Sequence, residues 1–290
     1  MFEGTLTALV TPFRDGAVDE GALRELVERQ VAAGIDGLVP CGSTGESATL
    51  SHDEHQRVVE IVVEAAAGRV PVVAGTGSNN TAEAIELTCH ARDAGAAAAL
   101  LISPYYNKPT QPGLVAHYRA VADESGLPLL VYNIPGRTAS NVLPETLAQL
   151  AEHPKIVGVK EASGNLDQMA EVIRRCPDDF AVLSGDDSLT LPLLALGGRG
   201  VISTSSNVVP REMGELVSAF RAGDETRARE IHYRLMPLFE VLFVETNPIP
   251  VKAALALLGV VGPEIRLPLL PLSEPCVPAL RAVLTDLGVL

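Results

Sequence analysis

Lysine is scarce in this chain: Lys108, Lys155, Lys160 and Lys252 are the only ones among 290 residues. Arginine carries most of the positive charge, so the search for an amine nucleophile is short. Positive charge as a whole is outweighed, 22 Lys+Arg against 36 Asp+Glu, for a net charge of -14. That sign argues against a nucleic-acid partner, while leaving room for a local positive pocket that holds a small carboxylate. No apolar run approaches the length needed to span a bilayer, and the opening Met1-Phe2-Glu3-Gly4-Thr5-Leu6 has no basic leader. No membrane partner is expected, and the mature chain is expected in the cytoplasm. Cys41, Cys89, Cys176 and Cys276 are scattered and form no CxxC pair, which reads as reduced, mostly buried thiols. Cys41 falls near a strand end, where alkylation is expected to inhibit without the thiol being catalytic.

What is present is the composition of a packed enzyme, with 47% hydrophobic residues in a chain long enough for one large core. Short apolar runs bounded by turn residues alternate with amphipathic stretches. Strands are predicted at 6–10, 35–40, 71–74, 98–103, 129–132, 156–160, 180–184 and 200–203, with helices between them. Asp19 caps the first helix, and Ser51 with Glu54 and Asn80 with Glu83 have capping-box spacing. Eight such units, at intervals near the ~30 residues of a βα unit, predict an α/β fold, a (β/α)8 TIM barrel over residues 1–223. Helical stretches around 225–244, 251–258 and 273–287 predict a C-terminal helical extension, residues 224–290, packed on the barrel. A doubly wound open sheet is disfavoured by the count of eight, and Thr11 to Gly16 is not G-x-G-x-x-G.

In such a barrel the active site is built at the C-terminal ends of the strands. Lys160 ends the sixth, sharing a face with Gly158 and Ile156 while Val157 and Val159 point toward covering helices. Lys155 enters that strand at the opposite end, Lys108 lies in a loop and Lys252 belongs to the helical tail. Lys160 alone is placed as a nucleophile on a rigid element. One reading is a lysine that snorkels to water or pairs with a carboxylate. The other is an amine, its pKa lowered by burial and by Arg137, that attacks a carbonyl to form a Schiff base. Gly158, one inward step below, is expected to leave space for the lysine stem or a small substrate.

Histidine is missing from the strand ends. His52, His55, His90 and His117 fall in helices, His153 follows one, and His232 lies in the extension. A divalent metal at the barrel mouth would lack its usual imidazoles, so no metal and no cofactor are expected. Oxygen-only magnesium coordination through Glu46, Glu161, Asp186 or Asp187 is the residual alternative. Gly42-Ser43-Thr44-Gly45-Glu46 suits a carboxylate or, equally, a structural turn capping the next helix. Tyr132 should point inward with Leu130, as a proton shuttle through Ser43 and one of Tyr105 or Tyr106, or as a packed rim tyrosine. Arg137, after Ile134-Pro135-Gly136, matches a substrate carboxylate or a surface salt bridge.

Together, Gly42-Ser43-Thr44-Gly45-Glu46, Tyr132-Asn133-Ile134-Pro135-Gly136-Arg137-Thr138 and Gly158-Val159-Lys160-Glu161 resemble the Schiff-base aldolases of the dihydrodipicolinate synthase and N-acetylneuraminate lyase superfamily. The resemblance covers essentially the whole chain, and Arg137 after Ile-Pro-Gly points to the dihydrodipicolinate synthase branch. It implies a lyase in which Lys160 condenses with pyruvate, whose carboxylate sits on the Ser43-Thr44 loop. The resulting enamine attacks L-aspartate 4-semialdehyde, held by Arg137, in lysine and diaminopimelate synthesis. The resemblance also implies a proton relay of Tyr132, Ser43 and Tyr106, with Tyr106 from the neighbouring subunit of a tight dimer, and a pyruvate pocket lined by Gly185 and Ile202. Many members carry threonine where this chain has Ser43; the hydroxyl survives, but the methyl that restricts its rotamers is lost. A homotetramer built as a dimer of tight dimers is implied, with an L-lysine effector site at Ser47, Ala48, His52, His55, Asn79, Glu83 and Tyr105. Two other readings stand beside this one. The first is a lyase for a sugar-like 2-keto acid such as N-acetylneuraminate or 2-keto-3-deoxygluconate; the second is a lysine-binding barrel without catalysis.

Overall fold

Parallel strands with helical crossovers bury both their faces, so their side chains divide into an inner and an outer set. The computed structural model, which describes residues 2–290, has eight such strands. They are β1 (Gly4–Ala8), β2 (Gly37–Val39), β3 (Val73–Gly75), β4 (Ala98–Ile102), β5 (Leu129–Asn133), β6 (Ile156–Glu161), β7 (Ala181–Ser184) and β8 (Gly200–Ser203). Their hydrogen-bonded order is β2-β1-β8-β7-β6-β5-β4-β3. A parallel bridge from Leu38 to Val72 joins the two ends, supported by the Leu38 N–H on Pro71 O at 3.0 Å and the Gly75 N–H on Pro40 O at 2.9 Å. The sheet is therefore a closed (β/α)8 barrel, as the count of eight predicted.

The period of two sorts the barrel. Leu6, Ala8, Leu130, Tyr132, Leu183 and Ile202 meet inside. Val131, Val159, Val182 and Val201 point outward into a larger core. That core is covered by α1 (Glu20–Ala32), α2 (His52–Ala66), α3 (Thr81–Asp93), α4 (Gln111–Ser125), α5 (Pro144–Ala151), α6 (Leu166–Arg175), α7 (Thr190–Ala195) and α8 (Pro210–Arg221). Asp19 accepts from the Ala22 N–H at the start of α1, Ser51 and Glu54 close a reciprocal capping box on α2, and Asn80 accepts from Ala82 N–H on α3.

The first strand lies two residues earlier than predicted. Its outward face is Thr5 and Thr7, fully buried hydroxyls whose donors are satisfied by Met213 O at 3.1 Å and Gln30 Oε1 at 2.8 Å. A polar residue can occupy a buried strand face when its hydrogen bond is made, and an apolar-run reading passes over it. Strand β2 is shorter than predicted at both ends, and β3 begins two residues later and ends one residue later than predicted; Pro40 and Pro71, just outside them, offer no N–H to a ladder.

Beyond the barrel lie α9 (Glu225–Val241), α10 (Ile249–Leu257) and α11 (Val277–Asp286). Leu235, Leu238 and Phe239 of α9 and Leu280 and Leu284 of α11 enter the same outer core as Met213 and Leu216 of α8. Among the described residues no helix is long and apolar enough to cross a membrane.

Gly200 shows how tightly the ring closes. It pairs with Gly4, its φ is +153°, and a Cβ there would run into the Gly4 carbonyl. Gly200→Ala is therefore expected to cost about 3 kcal/mol or more of stability by forcing β1 and β8 apart. The expected readout is a lower urea midpoint, and an unchanged midpoint would refute this account of the closure.

Candidate active site

Strand register brings the central pair together. Tyr132 of β5 is directly opposite Lys160 of β6, with Asn133 opposite Glu161. Lys160 is 6% exposed, and its Nζ sits 4.2 Å from the centroid of the Tyr132 ring. Burial lowers the pKa of the ammonium to about 8; the charges of Asp186 and Asp187 oppose that shift and Arg137 adds to it. Burial also pushes the Tyr132 phenol well above its ordinary range, with Arg137 and Ser43 pulling it partly back.

One glycine makes room for the lysine, and it is Gly185 rather than Gly158. A Cβ on Gly185 would lie 2.6 Å from the Ala162 Cβ and 3.1 Å from Lys160 Cε. A Cβ on Gly158 would instead meet Ala181 and, at 2.8 Å, Leu130 Cδ2. The space expected beneath the lysine is thus filled by barrel side chains, and Gly158 serves close strand packing. Ile202 lies in the same inner cluster as Tyr132 and Ala162.

Outside the barrel wall, Glu161 fixes the register behind the pair. Its carboxylate, fully buried, accepts from Asn133 Nδ2 at 3.0 Å and from the Ser163 N–H at 2.8 Å. Burial raises its pKa and these donors oppose the rise. Asp187 is likewise tied, accepting from Ser205 N–H at 2.8 Å and Ser205 Oγ at 2.7 Å.

The loop after β2 is a tight turn, with Gly45 N–H on Gly42 O at 3.0 Å and Glu46 N–H on Ser43 O at 3.2 Å. Thr44 is buried and its hydroxyl accepts from Asn247 Nδ2 at 2.9 Å. Glu46, offered above as a magnesium ligand, accepts instead from Lys252 Nζ at 2.6 Å and the Arg266 N–H at 3.0 Å. Arg137 stands in the short helix Pro135–Thr138, with Nη2 donating to Asn247 O at 3.0 Å.

A cavity of about 470 Å³ adjoins this arrangement on the side of Tyr132, and Lys160, Thr44, Gly185 and Ile202 are not on its wall. Ser43, Tyr132 and Arg137 line one part of it, and Ser47, Ala48, His52, His55, Glu83 and Tyr105 line another. His52 Nε2 is 2.7 Å from Glu83 Oε1, and the Ser78 hydroxyl reaches the other oxygen of that carboxylate. His55 Nε2 meets Gly75 O at 2.7 Å, and burial lowers its pKa, which favours the neutral ring with the proton on that nitrogen. Asn79 is not on the cavity wall; its amide donates to Tyr105 O at 3.2 Å. Tyr106 is 89% exposed with φ +69° and stands away from its own chain's cavity.

Two readings change here. Cys41 lines the cavity, yet it is buried, its S–H faces His55 O at 3.6 Å, and burial pushes its pKa far up. Such a thiol is a poor target for alkylation. Lys252, assigned only to the helical tail, is buried beneath the loop after β2. With Asn247 it is the main omission from the sequence reading. The available signal was a lone charge in the apolar run Ile249-Pro250-Val251-Lys252-Ala253-Ala254-Leu255, since a lysine there must find a partner.

Comparison with known proteins follows the same lines. The chain matches the model of the dihydrodipicolinate synthetase family over residues 1–287. It is 58% identical to the 4-hydroxy-tetrahydrodipicolinate synthase of Nitratidesulfovibrio vulgaris (strain DP4), over 100% of this chain and 99% of the relative. The chloride-inhibited dihydrodipicolinate synthase of Acinetobacter baumannii, complexed with pyruvate, superposes with a TM-score of 0.98 at 44% identity over 100% of both chains. The enzyme of Cyanidioschyzon merolae with lysine bound superposes with a TM-score of 0.97 at 46% identity, covering 100% of this chain and 99% of that one. With a closed barrel, a buried lysine beside a buried tyrosine and full-length similarity of this degree, the chain belongs to the dihydrodipicolinate synthetase family.

Proposed function

We propose that this protein is a 4-hydroxy-tetrahydrodipicolinate synthase, condensing pyruvate with L-aspartate 4-semialdehyde in lysine and diaminopimelate synthesis. The observation that carries the proposal is the environment of Lys160. It is buried and 4.2 Å from the Tyr132 ring, and its pKa is lowered to about 8, so a usable fraction of free amine exists near neutral pH. The free amine attacks the keto carbon of pyruvate, whose carboxylate rests on the Ser43-Thr44 loop. Loss of water gives a protonated imine, and loss of a methyl proton then gives an enamine. Gly185 and Ile202 shape the keto-acid pocket. The enamine carbon attacks the aldehyde of the semialdehyde, whose carboxylate Arg137 holds through its remaining donors. Attack of the substrate amine on the imine carbon closes the ring and returns Lys160 as a free amine.

Tyr132, with its ionisation suppressed by burial, carries protons as a neutral phenol, through Ser43 and Tyr106. Tyr106 comes from the neighbouring subunit of a tight dimer, an assignment supported by its exposure on its own chain. Two such dimers make the tetramer. L-Lysine acts as effector in the outer part of the cavity, among Ser47, Ala48, His52, His55, Glu83 and Tyr105, with Asn79 steadying Tyr105 from behind. The His52–Glu83 pair offers an anionic group to an ammonium, and the lysine-bound Cyanidioschyzon structure supports the choice of ligand. The four cysteines are unpaired, in keeping with a cytoplasmic setting.

Pyruvate followed by borohydride is expected to leave a reduced adduct on Lys160, seen by peptide mass spectrometry, and Lys160→Arg to leave none. Because the reactive form is the deprotonated amine, the trapping rate should rise about tenfold per pH unit below about 8 and level off above it. A flat profile would contradict the role given to this amine. Tyr132→Phe should lower kcat about a hundredfold while adduct formation at saturating pyruvate persists; equal loss of both would place the phenol elsewhere in the mechanism. Titration calorimetry with L-lysine should show binding that is lost in His52→Ala, and absence of heat in the unmodified enzyme would remove the effector site. Cleavage assays on N-acetylneuraminate and 2-keto-3-deoxygluconate, run beside the synthase assay, separate the neighbouring lyase activities.

A further inference from the structure

We infer that the buried ion pair between Lys252 and Glu46 is the positioning device for the loop Gly42-Ser43-Thr44-Gly45-Glu46, and through it sets the affinity for the keto-acid substrate. The inference rests on the reading in which that loop holds the pyruvate carboxylate.

The loop has reason to need an anchor. Two of its five residues are glycine, and Ser43 lacks the methyl that would restrict its rotamer. Its backbone turns through Glu46 at φ +54° and ψ 35°, a left-handed conformation seldom adopted by a residue with a long side chain. Glu46 therefore stands where glycine would be easier, and its side chain explains the choice. Oε1 accepts from Lys252 Nζ at 2.6 Å and Oε2 from the Arg266 N–H at 3.0 Å, with both ionic side chains at most 2% exposed. The lysine is itself held in place, its Nζ 4.3 Å from the centroid of the Phe13 ring, which also carries the Arg266 guanidinium at 4.2 Å.

Displacement at Glu46 cannot stay local. Its N–H bonds the carbonyl of Ser43, and the next N–H, of Ser47, bonds that of Gly42 at 3.4 Å. The segment that supplies Lys252 grips the loop a second time, through Asn247 Nδ2 on the Thr44 hydroxyl, while Asn247 O receives Arg137. Stability alone would be served as well by apolar side chains of similar volume. An ion pair with both carboxylate oxygens occupied adds a fixed position, which a carboxylate-binding turn requires and an apolar contact does not supply.

Lys252→Met and the double variant Glu46→Gln/Lys252→Met test this. The double variant leaves no unpaired buried charge and carries the test if the single one fails to fold. Circular dichroism and thermal unfolding establish folding. The measurement is the pyruvate concentration that half-saturates borohydride trapping on Lys160, together with the KM of each substrate. Half-saturation and the KM for pyruvate should rise about tenfold or more in the folded variants, with the KM for the semialdehyde within about twofold. Wild-type half-saturation in a folded variant, or equal change in both KM values, would overturn the inference and leave the proposed reaction standing. Absence of any adduct in the unmodified enzyme would instead remove the proposed reaction itself.

Discussion

An ammonium taken out of water loses solvation that a carboxylate in contact or a cage of acceptors can restore. Lys160 has no carboxylate within ion-pair distance among the described residues, and it meets instead the face of Tyr132. Asp186 and Asp187 act on it only through their charge, and Asp187 directs one oxygen to Ser205. The balance leaves the charged form disfavoured by about 3 kcal/mol relative to an exposed lysine. That magnitude matters in both directions. It is large enough to make free amine available near neutrality, and small against what a barrel of this size gains by burying its core. Lys252 provides the internal contrast, being as deeply buried yet paired at 2.6 Å with Glu46. Depth of burial is common to both lysines; the carboxylate partner that holds Lys252 is what Lys160 lacks among the described residues.

The barrel wall holds the unpaired lysine in place from both sides. Inside, Gly185 leaves the lysine stem its room, since a side chain there would crowd both Lys160 and Ala162. Outside, Glu161 bonds Asn133, so the residues next to Lys160 and Tyr132 are joined through the wall while those two face each other within it. A slip of one residue in β6 against β5 would turn Lys160 outward, away from Tyr132, and expose Glu161 to the barrel interior. The same register that seats the chemistry thus penalises its own loss.

Much of this was legible in the chain, and for identifiable reasons. Eight apolar runs separated by capped helices specify a barrel because the strand-to-helix alternation repeats too often for an open sheet, and Lys160 stood out because it alone among four lysines ended a strand. Strand ends were less legible. Thr5 and Thr7 look like surface residues until Gln30 arrives from the first barrel helix and Met213 from the last. Gly158 and Gly185 illustrate the same limit, since which glycine yields space to the lysine depends on Ala162 and Leu130 in three dimensions. Lys252 was read by its neighbours in sequence, and its partner lies 206 positions away. Contacts of that separation leave little trace in local pattern beyond a charge that seems out of place.

The geometry of the cavity ties the two ends of the site to one piece of backbone. Ser43 lines the cavity beside Tyr132 and Arg137, Ser47 and Ala48 line it beside His52 and Tyr105, and Glu46 lies between them with its carboxylate held by Lys252. Because both sets of residues belong to a single turn, a molecule seated at the outer end would press on the same short ladder of hydrogen bonds that shapes the inner end. No long relay is needed for such coupling. Its strength depends on how firmly the turn is held at its middle: a rigid clamp would transmit a small displacement as a change in where Ser43 points, and a loose one would absorb it. The Glu46 carboxylate, with both oxygens engaged by the C-terminal segment, places this enzyme toward the rigid limit.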